Sequence, residues 1–217
     1  MLSFTEENYL KALLKFTLEN EAIEIGTSGL AAQLNVKSGT VTDMLKKLKE
    51  KKLIEYEKYG KVTLTVDGRK HALEVVRKHR LWETFLFEKL DFNWDEVHEV
   101  AEQLEHIQSV KLINRLDTFL GNPEFDPHGD PIPNEKGEIR VKFTKTLSQV
   151  EVGGICKMVA VKEDTSTFLN YVEEVGLEIS SMIKVVGRKD YDALTEIEVN
   201  GKMSSVSQKF TENIFVI

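Results

Sequence analysis

Apolar residues recur at helical spacing from Asn8 to Leu18 (NYLKALLKFTL), again from Thr27 to Leu34, and from Ser38 to Leu48, where Val41, Met44, Leu45 and Leu48 form one stripe. The spacing predicts three helices. Thr27 or Ser28 is placed to cap the second, and Ser38 the third, after a tight turn at Asn35 and Val36. The period then changes: Leu53 to Glu57 and Val62 to Val66 alternate on either side of the Gly-containing turn Lys58 to Lys61, as hairpin strands do. Helix, helix, turn, helix and hairpin within about seventy residues predict a winged helix-turn-helix, whose second motif helix enters the DNA major groove. The other use of that fold is protein contact.

Further along, Gly68 to Leu90 reads as one long helix with Leu73, Val76, Leu81, Phe85 and Leu86 on its apolar side. Trp94 to Leu120 predicts one or two more, interrupted near Ser109. Their apolar residues Leu104, Ile107, Val110, Ile113, Leu116 and Phe119 are too many for one small interior and can build a dimer seam. Gly121 to Gly137 (GNPEFDPHGDPIPNEKG) is a loop and the expected domain border. Beyond it come short β-like runs, Ile155 to Val161, Met182 to Val186, Thr195 to Val199 and Asn213 to Ile217. A helix from Ser166 to Val175, ended by Gly176, lies among them. These runs suggest a small β-barrel. The fold class is α+β, with domains expected at 1–72, 73–140 and 147–217.

Charge sharpens the picture. The chain of 217 residues carries a net −7, but Val36 to Arg80 holds 13 Lys+Arg against 6 Asp+Glu, leaving −14 on the rest. A basic segment on an acidic body is the footprint of a domain that meets phosphates. Lys37, Ser38, Gly39, Thr40, Thr42 and Asp43 stand at or near the groove-facing start of the recognition helix. Lys46, Lys47, Lys58 and Lys61 are the candidate phosphate contacts. No Arg is placed there to grip guanine, so readout leans on apolar contact and DNA shape; Asp43 either accepts from a cytosine amine or faces solvent. No apolar run approaches a membrane span and MLSFTEENYL is not a signal peptide, so a cytoplasmic protein is expected. The single Cys156 forms no internal disulfide and reads as a small buried residue.

A second chemistry lies in the middle of the chain. His98, Glu102, Glu105 and His106 fall at i, i+4, i+7 and i+8, one face if the segment is a single helix, and His79 and Glu83 repeat the i, i+4 step earlier. Two such helices packed together offer imidazoles and carboxylates to a divalent ion. A solvated acidic face is the alternative, and the better one for E-x-x-E-H alone.

In order, TEENYLKALLK, the segment ending VTDMLKKLKEKKLIEYEKYGKVTLTVDGR, RKHRLWETFL, VHEVAEQLEH and DPHGDPIP resemble the diphtheria-toxin-repressor family of metal-dependent transcriptional regulators, most closely its manganese-transport-regulator branch. The resemblance covers essentially the whole chain. It implies an N-terminal winged helix, a helical dimerisation and metal domain, and a C-terminal SH3-like (FeoA-like) domain. By position it implies a primary metal site of His79, Glu102, Glu105 and His106 with Asn8. It also implies a second site of Glu83, Asp126, His128 and Asp164, with His98 as a further candidate. Where iron-responsive members have cysteine this chain has Glu102, and a carboxylate suits Mn²⁺, with Fe²⁺ as the alternative ion. Two positions depart from the pattern: Asn8 stands where manganese members often carry aspartate, and Lys11 where some carry glutamate.

The function these features imply is a cytoplasmic, homodimeric, Mn²⁺-activated repressor that binds a palindromic site in double-stranded DNA and controls metal-uptake genes. The rivals are an Fe²⁺-responsive regulator, a metallohydrolase and a metal-storage or scaffold protein. The hydrolase lacks a further nucleophile or acid/base constellation and leaves the winged helix unexplained, so no enzymatic activity is expected.

Overall fold

The computed structural model describes residues 2–20, 25–56, 61–139, 145–189 and 191–217. The chain divides into two compact units, Met1–His79 with Glu102–Asn114 and Pro133–Glu138, and Arg80–Ala101 with Arg115–Ile132 and Ile139–Ile217.

In the first unit, α1 (Phe4–Asn20), α2 (Thr27–Gln33) and α3 (Ser38–Glu50) bury Leu10, Leu14, Leu30, Val41, Leu45 and Leu48 against one another. The α3 stripe is as its spacing demands, with Met44 half-buried at its margin. Strands β1 (Ile25–Gly26), β2 (Ile54–Tyr56) and β3 (Lys61–Leu64) form an antiparallel sheet in the order β1-β3-β2, with Ile54 opposite Leu64 and Tyr56 opposite Val62. The Lys58 turn lies outside the described residues. Neither expected hydroxyl cap forms. The N-cap residues are Gly26 and Lys37, without side-chain capping bonds, because Thr27 and Ser38 already stand in the first helical position, one step too late to cap. Helix α4 (Val66–Leu90) follows the hairpin directly. Gly68 is required there: a Cβ would lie 1.8 Å from the Leu53 carbonyl oxygen.

The second unit takes α4 from Arg80 onward and completes the C-terminal fold. Helix α5 (Val97–Leu104) and helix α6 (Val110–Phe119) are separate, as the interruption near Ser109 predicts, and each contributes residues to both units. Strands β4 (Ile155–Val161), β5 (Met182–Lys189), β6 (Leu194–Val199), β7 (Lys202–Ser207) and β8 (Ile214–Val216) make an antiparallel sheet in the order β7-β6-β5-β4-β8. Helices α7 (Ser166–Glu174) and α8 (Gln208–Glu212) accompany it. Leu147, Met158, Leu169, Ile183, Ile197, Val206, Ile214 and Trp94 belong to one core. Strand β7 was not legible beforehand: KMSSVS buries only Val206 among its residues, so its alternation is too weak to see. Buried Cys156 behaves as the small core residue expected.

Candidate metal centre

The first cluster is built on a turn. Helix α5 stops at Leu104, so Glu105 and His106 follow the helix rather than continue its face. The single helical face expected for His98, Glu102, Glu105 and His106 is therefore corrected, and His98 pairs instead with Glu83, Nδ1 to Oε1 3.2 Å.

Glu105 has no side-chain exposure. Its Oε2 meets His79 Nδ1 at 2.5 Å and accepts from Lys11 Nζ at 2.8 Å. Its Oε1 lies 2.8 Å from the same ammonium and 3.9 Å from His106 Nε2, in hydrogen-bonding geometry with none of the described residues. Burial pushes the Glu105 carboxyl up, but the His79 hydrogen bond and the Lys11 charge outweigh it and hold the group below the ordinary carboxylate range. The result is an ionised interior carboxylate with the Lys11 ammonium against both of its oxygens. Glu102 stands beside it, half-exposed, 3.3 Å from Lys11 Nζ.

His106 is oriented from α1. Its Nδ1 lies 2.6 Å from a Glu7 oxygen, and a carboxylate only accepts, so Nδ1 carries the hydrogen and Nε2 offers its lone pair on the Glu105 side. Gln108 donates to the other Glu7 oxygen at 2.7 Å, and Phe4 stacks on the imidazole at 4.4 Å. Glu7 is the residue that sequence reasoning missed. Asn8, the position carried over from the family pattern, is exposed, because the helix turns its neighbour Glu7 inward. The only local hint was the i, i+4 pairing of Glu7 with Lys11, which names no partner.

The second cluster lies within the other unit. Glu83, Asp126 and His128 are all buried and each offers a ligand atom within 4.8 Å of the others. The DPHGDP loop arranges it. Asp126 Oδ1 accepts from the backbone N–H of His128 at 2.8 Å and of Asp130 at 3.0 Å, and Arg80 ties the loop down through the Pro131 carbonyl at 2.6 Å. Gly129 has φ +84°, and a Cβ there would lie 2.0 Å from the Val159 carbonyl oxygen. Only glycine lets the loop press on β4, where Val161 N–H donates to the His128 carbonyl at 3.0 Å.

His128 Nε2 lies 3.1 Å from the Trp94 carbonyl, which fixes the hydrogen on Nε2 and turns Nδ1 toward Glu83 and Asp126. Burial alone would lower its pKa, but the two carboxylates and the Trp94 carbonyl raise it to about 9. Burial, Asp130 and Glu83 push Asp126 up, to about 8. Crowding of buried carboxylates is thus met by protons on Asp126 and His128 and by the Arg80 charge. Asp164 is half-buried in the segment after β4 and is not one of these three.

The predicted nucleic-acid face is on α3 and β3. Lys37, Ser38, Gly39, Thr40, Asp43, Lys46, Lys47 and Lys61 are exposed and Thr42 is half-exposed; Lys58 is outside the described residues. Asp43 holds Lys46 at 3.1 Å, a solvent-side pair one helical turn apart. Lys49 donates to the Tyr56 carbonyl at 2.6 Å and Lys51 pairs with Glu6, so these two lysines are used inside the fold. A Cβ on Gly39 would meet nothing within 4 Å, so none of the described residues demands that glycine.

Comparison with known proteins decides the family. Residues 1–62 match the iron dependent repressor N-terminal DNA binding domain, 65–134 its metal binding and dimerisation domain, and 145–217 the FeoA domain. A manganese-dependent transcriptional repressor solved with manganese is 32% identical, with a TM-score of 0.87 over 98% of this chain and 99% of that one. The chain belongs to the diphtheria-toxin-repressor family. Several of its solved neighbours are named as manganese-dependent repressors or regulators, the branch to which the motifs pointed. ScaR with bound Cd²⁺ is 34% identical, with a TM-score of 0.80 over 98% of each chain. The iron-dependent repressor IdeR of Mycobacterium leprae is 33% identical over 129 residues, 59% of this chain and 55% of that protein, so the match spans about half the length of that curated relative. These three relatives are named as repressors or regulators, not enzymes. Within the family, the α+β order of DNA-binding domain, helical domain and FeoA domain is the architecture expected from the sequence. Among the described residues no helix is long and apolar enough to cross a membrane.

Proposed function

We propose that this chain is a homodimeric, Mn²⁺-activated repressor that binds a palindromic DNA site and turns down metal-uptake genes. One observation carries the metal part: the buried Glu105 carboxylate gathers the His79 imidazole on one oxygen, while its Oε1 lies 2.8 Å from the Lys11 ammonium and 3.9 Å from Nε2 of an imidazole fixed by Glu7. Two carboxylates and two imidazoles drawn together at one cation position form a donor set that fits a divalent ion. Glu105, His106, His79 and Glu102 would hold it, with the exposed Asn8 on its solvent side. Glu83, Asp126, His128 and His98 would hold a second ion, with Asp164 as an outer contributor. A bound ion supplies positive charge that several oxygen and nitrogen ligands share. Carboxylate-rich ligands without a thiol favour Mn²⁺; Fe²⁺ is the second reading, supported by the iron-dependent relatives.

The chain's own residues link this site to the DNA face. Glu7 reaches His106, while the adjacent Glu6 pairs with Lys51 just beyond α3, 2.7 Å away. Neighbouring residues of α1 thus touch the metal turn and the end of the recognition helix. An ion that favours this arrangement over others shifts the population toward it by its differential affinity. Exposed apolar side chains support the dimer: Phe87, Leu90 and Phe119 in one unit, Val110 and Leu112 in the other.

The test is binding of the chelator-stripped protein to its own upstream DNA, with and without Mn²⁺, alongside Glu105→Gln. Metal-dependent binding that Glu105→Gln abolishes while the dimer persists in sedimentation is the expected outcome. Equal binding with Mn²⁺ and with chelator would defeat the proposal.

A further inference from the structure

Both carboxylates of the first cluster already have a cation. Lys11 Nζ sits 3.3 Å from Glu102 Oε1 and 2.8 Å from both oxygens of Glu105. Its side chain is 18% exposed and that of Glu105 is 0% exposed. A buried carboxylate left without positive charge is costly, so this ammonium stabilises the metal-free protein. Lysine is suited to the task because its charge is compact and its four-carbon stem is flexible, so it can leave without moving the backbone. Lys11 lies one helical turn after Glu7, so α1 contacts the Glu105–His106 turn through two charged side chains.

We propose that Lys11 is an internal counter-cation which occupies the Glu102–Glu105 carboxylate pair in the metal-free protein and must be displaced before those ligands take an ion. This rests on the metal-site reading above and adds a threshold to it. An ion competes with a tethered ammonium that is always present, so the apparent affinity is reduced by the fraction of molecules in which Lys11 is out of the site. If Lys11 holds the carboxylates nine-tenths of the time, the apparent Kd rises about tenfold. Lys11 also keeps α1 attached to the Glu105 turn when no ion is present, so the metal-free protein retains one of the two α1 contacts from a residue the ion must replace.

The experiment uses the full chain stripped by chelator. Mn²⁺ affinity is measured by competition with a fluorescent chelator for the parent, Lys11→Met, Lys11→Gln and Glu105→Gln. In parallel, acylation of Lys11 in the parent by an amine-reactive reagent is followed by mass spectrometry, with and without Mn²⁺. Expected are an apparent Kd about tenfold lower in Lys11→Met and Lys11→Gln, and faster acylation of Lys11 when Mn²⁺ is present. Two glutamine and methionine variants guard against one that misfolds, and the acylation arm needs no substitution. If Mn²⁺ binds through Glu105 but the Lys11 variants bind no tighter, or Lys11 reactivity is unchanged by the ion, the counter-cation proposal is overturned and the metal site stands. If Glu105→Gln binds Mn²⁺ like the parent, the site assignment falls and the proposal with it.

Discussion

Removing the Glu7 carboxylate should weaken Mn²⁺ binding by about 10- to 100-fold without unfolding the protein, because Glu7 orients a ligand and is not itself one. The structural basis is specific. Glu7 holds His106 Nδ1 at 2.6 Å and is itself held by Gln108, so the imidazole has its tautomer and its rotation chosen before an ion arrives. In Glu7→Ala the ring can rotate, and Nδ1 no longer has an acceptor. Chelator competition measures the loss, and thermal unfolding of the metal-free variant shows whether the fold is intact. A Glu7→Ala affinity equal to that of the parent would mean His106 is held by its stacking on Phe4 instead.

At the scale of elements, the joint between α1 and α3 carries a pH signature. Burial pushes the Glu6 carboxyl up, yet hydrogen bonds from Lys51 and the Ser3 N–H and the charge of Lys51 outweigh it and lower it below its ordinary 4.5. A carboxyl whose folded pKa is depressed adds stability above its unfolded pKa and loses it as pH falls through the folded value. Glu6→Gln should therefore be less stable than the parent at neutral pH, with the difference shrinking below about pH 4.5 and vanishing in stronger acid. Lys51 is 44% exposed, so solvent screens the pair and the difference is modest. Denaturant unfolding of both proteins across that range is the measurement, and a gap that widened on acidification would contradict it.

For the whole molecule, net charge is a poor guide to the partner, since an overall −7 conceals a +7 segment. DNA binding should weaken steeply with salt, the logarithm of the affinity falling by about 0.9 for each phosphate neutralised per tenfold rise in salt. Lys46→Ala or Lys47→Ala should each reduce that slope by about one and weaken all sequences alike, whereas Gly39→Ala should spare the fold and cost affinity through close backbone approach. Lys49 and Lys51 are expected to act on stability instead, being engaged by the Tyr56 carbonyl and by Glu6. Salt titrations of parent and variants on specific and unrelated duplexes separate these cases. A slope unchanged in both Lys46→Ala and Lys47→Ala would move the phosphate contacts elsewhere.

What could be read without a structure was what the local chain encodes. Helical and alternating periods act over a few residues, so α1 to α7 and most strands were visible, and side-chain type and spacing marked His79, Glu83, Glu105 and His106 as ligand chemistry, whereas Asp126 and His128 came only from the family resemblance. The α3 stripe is buried for the same reason. Facing and distance were not encoded locally. That Glu7 and not Asn8 turns inward, and that Lys11 fills a carboxylate pair, depend on partners 99, 91 and 94 residues away. The end of α5 at Leu104 was not legible either, since the His98 to His106 spacing continues as if the helix did. Strand β7 escaped because its neighbours, rather than its own alternation, make it a strand. Periodicity names the elements and the ligand types; only packing decides which side chain meets which, because contact energy is earned across sequence separations that no local pattern records.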